Sequence, residues 1–173
     1  PANYSSWHYR RECLKQLGLA KLSTHVEQDL DLAAALGGAN PKNYQIWYHR
    51  RSLLENFGIT IDLAESELDY ISSVFNEDAK NYHAWSYRQW IVQSIDSPTI
   101  WENEMDYASK LIQDDPRNNS AWNYRWFVVH RGSTSQCLSY EVAEREANFA
   151  IDAGCKIDPY NESPMRFLVA ILK

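Results

Sequence analysis

The chain has 173 residues, 45% hydrophobic and 23% charged, so its composition is that of a soluble globular protein without a run of the ~20 apolar residues that span a membrane. Its 23 acidic residues outnumber its 17 basic ones, and the net charge of -6 argues against a broad nucleic-acid-binding face. The three cysteines have no Cys-x-x-Cys spacing and no histidine at ligand spacing, which argues against a disulfide framework or a structural zinc site and favours a reducing, cytoplasmic location.

The pattern Asn-x-x-x-Trp-x-x-Arg occurs four times and predicts a repeat protein. Its asparagines are spaced by 40, 38 and 37 residues, at Asn3, Asn43, Asn81 and Asn118, and a degenerate fifth copy begins at Asn161. Periods of this size indicate helical hairpins that bury their apolar faces against their neighbours. We predict a single repeat domain over residues 1–173 that is a piece of a longer solenoid. Its predicted repeats are 3–42, 43–80, 81–117, 118–160 and a partial 161–173.

Each asparagine is a good N-cap for the first helix of its hairpin, here called the A helix. We predict that the apolar face of the first A helix carries Tyr4, Trp7, Leu14 and Leu17. The matching positions in later repeats are Tyr44, Trp47, Leu54 and Phe57; then Tyr82, Trp85, Val92 and Ile95; then Trp122 and Val129. The predicted ends lie at Gly18, Gly58, Pro98 and Gly132.

The second helices of the hairpins, the B helices, also repeat. Glu67-Leu68-Asp69-Tyr70 lies 37 residues before Glu104-Met105-Asp106-Tyr107, and Leu30, Asp31 and Leu36 match in the first repeat. In the fourth repeat Glu146 and Phe149 match only if one residue is inserted before Asp158-Pro159. Because no strand-like alternation persists, we predict an all-α fold, a right-handed α-α superhelix of antiparallel hairpins.

The repeated Trp and Arg residues favour a structural role. A large aromatic side chain one turn into each A helix fills the wedge between stacked hairpins. The Arg three residues later can lie on an aromatic ring or pair with an acid of a neighbouring helix.

Chemistry is expected where the repeats differ, at the starts of the A helices. Lys42, Tyr44 and Gln45 stand at the second start, and Lys80, Tyr82 and His83 at the third. Helix N-termini present free N–H groups and partial positive charge, so adjacent starts suit an anion. The alternative is that Lys42 and Lys80 are solvated linker lysines and His83 a surface residue.

These strings closely resemble the repeats of protein prenyltransferase α subunits. The resemblance rests on Lys42-Asn43-Tyr44-Gln45-Ile46-Trp47, Asn81-Tyr82-His83-Ala84-Trp85 and Arg117-Asn118-Asn119-Ser120-Ala121-Trp122. Among such subunits the chain is most similar to the one shared by farnesyltransferase and geranylgeranyltransferase type I. The resemblance implies a heterodimer with a β subunit, inactive without it, that transfers an isoprenoid from its diphosphate to the cysteine of a protein's C-terminal CaaX motif.

The resemblance also implies roles for six residues. Lys42, Tyr44 and His83 match residues near the diphosphate, Gln45 matches the glutamine that binds the peptide carboxylate, Tyr4 lines the pocket for the last residue, and Asn81 lies close to the same site. It implies no cofactor in this chain. Zinc, with magnesium as a second candidate metal, belongs to the assembled enzyme, and the β subunit holds the zinc.

Two alternatives remain open at this point. One is the α subunit of Rab geranylgeranyltransferase, which uses related repeats. The other is a non-catalytic, tetratricopeptide-like scaffold, which would have no need for Lys42, Tyr44, Gln45 and His83 together.

Overall fold

The computed structural model describes residues 3–16, 23–37, 40–131 and 138–172, and these contain nine α-helices and no strand. The odd-numbered helices are the A helices and the even-numbered ones the B helices. Leu17, Gly18 and Gly132, named above in the first and fourth A helices, lie outside the described residues. The bounds are α1 Tyr4–Gln16, α2 Ser23–Gly37, α3 Tyr44–Phe57, α4 Ile61–Glu77, α5 Tyr82–Ile95, α6 Pro98–Asp114, α7 Asn119–Val129, α8 Tyr140–Ala150 and α9 Glu162–Ile171.

The chain divides into two compact units, Pro1–Ile95 and Asp96–Lys173. In unit 1, α2 packs on α3 and α4 on α5, while the A helices α1, α3 and α5 form a row. In unit 2, α6 packs on α7 and α8 on α9, and α7 packs on α9. Each B helix therefore lies against the A helix that follows it in the chain. The single repeat domain stays a prediction.

The repeated asparagines cap the A helices, as predicted. Asn43 Oδ1 accepts a hydrogen bond from the backbone N–H of Gln45 at 3.1 Å, and Asn118 and Asn161 make the same bond at 3.0 Å. Asn3 and Asn81 accept bonds from the first turns of α1 and α5. Such a cap satisfies one of the free N–H groups at the helix start and contributes about 1 kcal/mol.

The motif tryptophans form the core, which confirms their predicted role. Trp7, Trp47, Trp85 and Trp122 are 1–7% exposed. Trp47, Trp85 and Trp122 also donate the indole N–H to a backbone carbonyl six residues earlier, in the linker before the helix, at 2.8–2.9 Å. Each ring therefore fills space between helices and ties its own A helix to the preceding linker.

The tyrosines that follow the capping asparagines were assigned to the buried face, and this prediction is wrong. Tyr4, Tyr44 and Tyr82 are 56%, 55% and 75% exposed. The reason is that α3 is buried along a wide arc, which includes Ile46, Leu53 and Leu54. Trp47 lies at the edge of that arc, and because each residue advances by about 100°, Tyr44 falls about 60° beyond it, in solvent.

A buried acid in each of three B helices bonds a side chain of the next A helix. The pairs are Asp29 with His49, Glu67 with Tyr87, and Glu104 with Tyr124. All six residues are at most 4% exposed, and each acid lies 20 residues before its partner. A buried charge needs such partners, so these bonds join one repeat to the next.

Motif arginines pair with buried acids and lie on aromatic rings, as predicted. Arg50 donates from Nε and Nη2 to the carboxylate of Glu67 at 2.9 and 2.5 Å, and its Cζ lies 3.8 Å from the centre of the Tyr70 ring. Arg125 likewise donates to Glu146 at 2.6 Å and lies 3.6 Å from the Phe149 ring. Each guanidinium therefore pairs with an acid of its own hairpin and covers an aromatic ring.

The extra residue that the fourth repeat required is absorbed by a π-helical turn, Ile151–Cys155. The backbone N–H of Lys156 bonds the carbonyl of Ile151 at 2.9 Å, a span of five residues in place of four. Gly154 lies in this turn against Pro164 of α9, where a Cβ atom would stand 2.4 Å from the proline Cβ. The turn thus keeps Glu146 in register with the earlier acids and requires glycine at the contact.

Candidate functional site

The starts of α3 and α5 lie side by side in unit 1. The amide Nδ2 of Asn81 donates to the carbonyl of Pro41 at 3.1 Å, which joins the linker before α5 to the linker before α3. Lys42 Nζ stands 3.6 Å from Asp78 Oδ2 across the same junction. The structure therefore brings together Lys42 and Tyr44 on one side and the Tyr82–His83 pair on the other, as the sequence predicted.

The side chains at this junction are open to solvent. The Lys42 side chain is 76% exposed, and Tyr44 is 55% exposed. His83 is half-buried and meets the Tyr82 ring edge-on, with 5.7 Å between the ring centres. Tyr4 lies at the start of α1, which packs on α3, and its ring stacks on His8. An ammonium, phenols and an imidazole beside two helix N-termini suit an anionic ligand.

Gln45 lies just below this surface and is 3% exposed. Its Oε1 has no hydrogen-bond partner among the described residues, which is unusual for a buried amide. A half-turn of the amide would place its NH₂ group, a two-proton donor, in the same position. The Gln45 amide thus has unused hydrogen-bonding capacity next to Tyr44.

Asn81 is 2% exposed, and both ends of its amide are engaged. Its Oδ1 caps α5 through the N–H of Ala84 at 3.1 Å, while its Nδ2 holds the carbonyl of Pro41. The observed role of Asn81 is to align the two helix starts. Its predicted contact with substrate stays a prediction.

Asp78 is the neighbour of Lys42 that the sequence analysis did not single out. A matching pair occurs in unit 2, where Arg117 Nη2 lies 2.6 Å from Asp158. Arg117 precedes the cap Asn118 just as Lys42 precedes Asn43, so the cation–acid contact is a general feature of adjacent linkers. The sequence feature that could have indicated this contact is the Asp that recurs three residues before Asn81, Asn118 and Asn161. An exposed pair of this kind contributes about 0–1 kcal/mol to stability.

A more buried polar cluster lies between α1 and α3. His49 Nε2 is 2.7 Å from Asp29 Oδ2, and Arg10 donates from Nε to the other carboxylate oxygen at 2.7 Å. Burial lowers the pKa of His49 despite the opposing effect of Asp29, so the neutral ring donates its Nε2–H to the carboxylate. Burial acts to raise the pKa of Asp29, but the bonds from His49 and Arg10 outweigh it and hold that pKa below its usual value.

Three further observations describe the chemistry of the chain. Within the described ranges, no group of three or more His, Cys, Asp or Glu side chains could hold a metal ion. Cys13 and Cys155 are free thiols, and Cys137 lies outside the described residues. Among the helices of the described part, none combines the length and the apolar character needed to cross a membrane.

Comparison with known families places the chain. The model of the protein prenyltransferase alpha subunit repeat matches residues 1–17, 26–57, 64–95 and 101–132. The chain belongs to this family. Its predicted fold class, all-α with prenyltransferase α-subunit repeats, is thereby confirmed. The four matched segments each include one Asn-x-x-x-Trp-x-x-Arg motif.

A solved structure extends the match to nearly the whole chain. It is the Candida albicans protein geranylgeranyltransferase-I complexed with GGPP, and one of its chains superposes with a TM-score of 0.81 at 29% identity. The match covers 98% of this prenyltransferase-repeat chain and 55% of the other, so the chain spans about half the length of the protein it resembles. No curated protein sequence in the comparison matches the chain.

Proposed function

We propose that the chain serves in the cytoplasm as the α subunit of a heterodimeric protein prenyltransferase of the farnesyltransferase and geranylgeranyltransferase type I kind. The proposal rests on the family match, together with Lys42, Tyr44 and His83 at adjacent helix starts. The similar solved protein is a geranylgeranyltransferase-I with GGPP bound, which supports an isoprenoid diphosphate as the ligand of this junction.

In the proposed reaction, the cysteine sulfur of a CaaX protein forms a bond to C1 of the isoprenoid as the bond from C1 to the diphosphate oxygen breaks. The thiol proton leaves to solvent, and the diphosphate departs with its electron pair. Zinc, held by the β subunit, would lower the pKa of that cysteine and so make it a nucleophile.

The role of this chain is to receive the leaving group. The Lys42 ammonium is exposed, and its contact with Asp78 at 3.6 Å is weak enough to be exchanged for a diphosphate oxygen. Tyr44 and His83 would donate hydrogen bonds from the two sides of the junction. Because negative charge grows on the leaving oxygen as the bond breaks, these donors stabilise the transition state more than the bound substrate.

The remaining residues would bind the peptide. The Gln45 amide has hydrogen-bonding capacity to spare and would donate to the terminal carboxylate without adding a charge. Tyr4 would pack on the last side chain of the peptide. Asn81 would hold the linkers that carry Lys42 and Tyr82 in register.

The first test is reconstitution. We expect the purified chain to form a complex with a farnesyltransferase or geranylgeranyltransferase type I β subunit, measured by size-exclusion chromatography with light scattering. A Rab geranylgeranyltransferase β subunit serves as the comparison. Binding to that subunit alone would favour the Rab-type alternative, and binding to no β subunit would contradict the proposal.

The second test compares two variants in the reconstituted enzyme. Lys42→Ala should slow single-turnover prenyl transfer by about 10²-fold at saturating substrates, the usual loss for one charged donor to a developing anion. Arg117→Ala is the matched control, because it removes the same kind of linker contact in unit 2. Equal single-turnover rates for Lys42→Ala and Arg117→Ala would assign Lys42 to structure alone.

Gln45→Ala should produce a different kinetic change. A carboxylate contact that exists before and during the reaction is lost equally from the ground and transition states, so the peptide KM should rise while the single-turnover rate stays nearly constant. A slower chemical step with an unchanged KM would contradict the assigned role.

A further inference from the structure

The residue three positions after the buried acid differs between the first hairpin and the others. It is Tyr70 after Glu67, Tyr107 after Glu104 and Phe149 after Glu146. After Asp29 the same position holds Leu32. The first hairpin is thus the one whose B helix carries no aromatic ring at this place.

In the second and fourth hairpins the ring is held by the motif Trp and Arg of the same hairpin. Tyr70 lies 5.9 Å from Trp47 and 3.8 Å from the Arg50 guanidinium, measured to the ring centre. Phe149 repeats this geometry in unit 2, at 5.9 Å from Trp122 and 3.6 Å from Arg125. The ring therefore occupies a slot between an indole and a guanidinium.

The first hairpin has the motif Trp and Arg that flank the slot but lacks the aromatic ring between them. Trp7 is buried, and Arg10 donates to Asp29 as Arg50 does to Glu67, although the Arg10 side chain is 44% exposed and that of Arg50 is 3% exposed. Between them lies a cavity of about 250 Å³. It is lined by Asn3, Ser6, Trp7, Arg10, Leu32 and Leu36. An enclosed apolar cavity of roughly 150 Å³ is enough to bind benzene. This cavity is larger, open to solvent and partly lined by polar side chains, and it has room for a substituted six-membered ring.

We infer that this cavity is a binding site for a single planar aromatic ring of the phenol class, supplied by a small molecule. The ring takes the place that Tyr70 and Phe149 fill in their own hairpins. Its edge packs on Trp7 and on the methyl groups of Leu32 and Leu36. Its negative face meets the positive guanidinium of Arg10, a charge complementarity that a saturated ring lacks.

The probe is p-cresol, which is the tyrosine side chain as a free molecule. Titration into the whole chain, followed by ¹³C-methyl NMR, should give a Kd on the order of 1 mM, the affinity expected of a ligand with about eight heavy atoms. Intermolecular NOEs should connect the cresol ring to the methyl groups of Leu32 and Leu36. This measurement needs no variant.

A matched pair of variants tests whether cresol binds in this cavity. Leu32→Phe restores the ring of the other hairpins and should weaken cresol binding at least tenfold. Leu172→Phe, at a position that is 71% exposed, makes the same chemical change away from the cavity and should leave binding unchanged. Circular dichroism confirms that both variants fold.

The saturated analogue 4-methylcyclohexanol tests the chemistry. It should bind at least several-fold more weakly, because it has no π face for Arg10. Equal affinities of the two ligands, equal cresol binding by Leu32→Phe and the parent, or NOEs confined to other methyl groups would each overturn the assignment.

Discussion

Replacing Glu67 by alanine is expected to destabilise unit 1 by about 3–5 kcal/mol, the usual cost of leaving a buried charge without its partner. Glu67 is 2% exposed and receives three hydrogen bonds, two from Arg50 and one from the Tyr87 hydroxyl at 2.8 Å. Its loss leaves the 2% exposed Arg50 without a counter-charge. The Tyr87 hydroxyl loses its acceptor at the same time.

Tyr87→Phe should cost less, about 1.5–3 kcal/mol, because it removes one hydrogen bond to a charged group while Arg50 still neutralises the acid. The double variant Glu67→Ala/Tyr87→Phe should be no less stable than Glu67→Ala alone. Once the carboxylate is gone, the bond that Tyr87→Phe would remove no longer exists, and the hydroxyl keeps only its contact with Arg50. The coupling energy between the two sites should therefore be about as large as the effect of Tyr87→Phe.

Urea unfolding followed by tryptophan fluorescence measures the free energy of unfolding of each variant, and amide exchange in α4 and α5 localises the loss to unit 1. Tyr9→Phe is the control, since it deletes the same hydroxyl from a residue that is 68% exposed. Additive effects of the two substitutions, or a Glu67→Ala variant within about 1 kcal/mol of the parent, would refute the reasoning.

Two other predictions concern His49 and Gly154. Because burial holds the pKa of His49 below its ordinary value of 6.5, the unfolded chain binds more protons, and stability should fall as the pH drops below about 6.5. His49→Tyr introduces the residue type found at the matching position 87. It should remove that part of the pH dependence of stability between pH 5 and 7 in denaturation experiments. An unchanged pH profile would contradict the assignment. Gly154→Ala should lower the free energy of unfolding by about 1–3 kcal/mol, since the added Cβ meets Pro164 at 2.4 Å, and an unshifted urea midpoint would mean that α9 moves aside.

Local features of the fold could be predicted from the sequence. The asparagine caps and the buried tryptophans followed from hydrogen bonding and apolar spacing within one helix. The exposure of Tyr44 did not follow, because the width of the buried arc depends on neighbours that the spacing within α3 does not specify. The extra residue of the fourth repeat was visible in the alignment of Glu146, although its form as a π-helical turn was not.

In the candidate site too, local features could be predicted from the sequence and contacts between separate segments could not. Lys42, Tyr44 and His83 were placed together because each lies next to a predicted helix start. The contact between Lys42 and Asp78 was missed, since its two residues belong to different linkers and the recurring Asp indicated only a turn. None of the bonds from a buried acid to the next A helix was predicted, because each joins residues 20 positions apart in two different helices. Asp29 and His49 also differ in type from Glu67 and Tyr87 at the matching positions.

That difference in type has a consequence for protein engineering. Between the first and second hairpins, the short carboxylate of Asp29 bonds the imidazole of His49. Between the second and third, the carboxylate of Glu67, one methylene longer, bonds the phenol of Tyr87. A chimera in which hairpins trade places would set Glu67 against His49 or Asp29 against Tyr87, with side chains of unmatched reach. The hairpins of this chain are therefore not interchangeable modules. An exchange would succeed only if the acid and its partner in the next hairpin were transferred together.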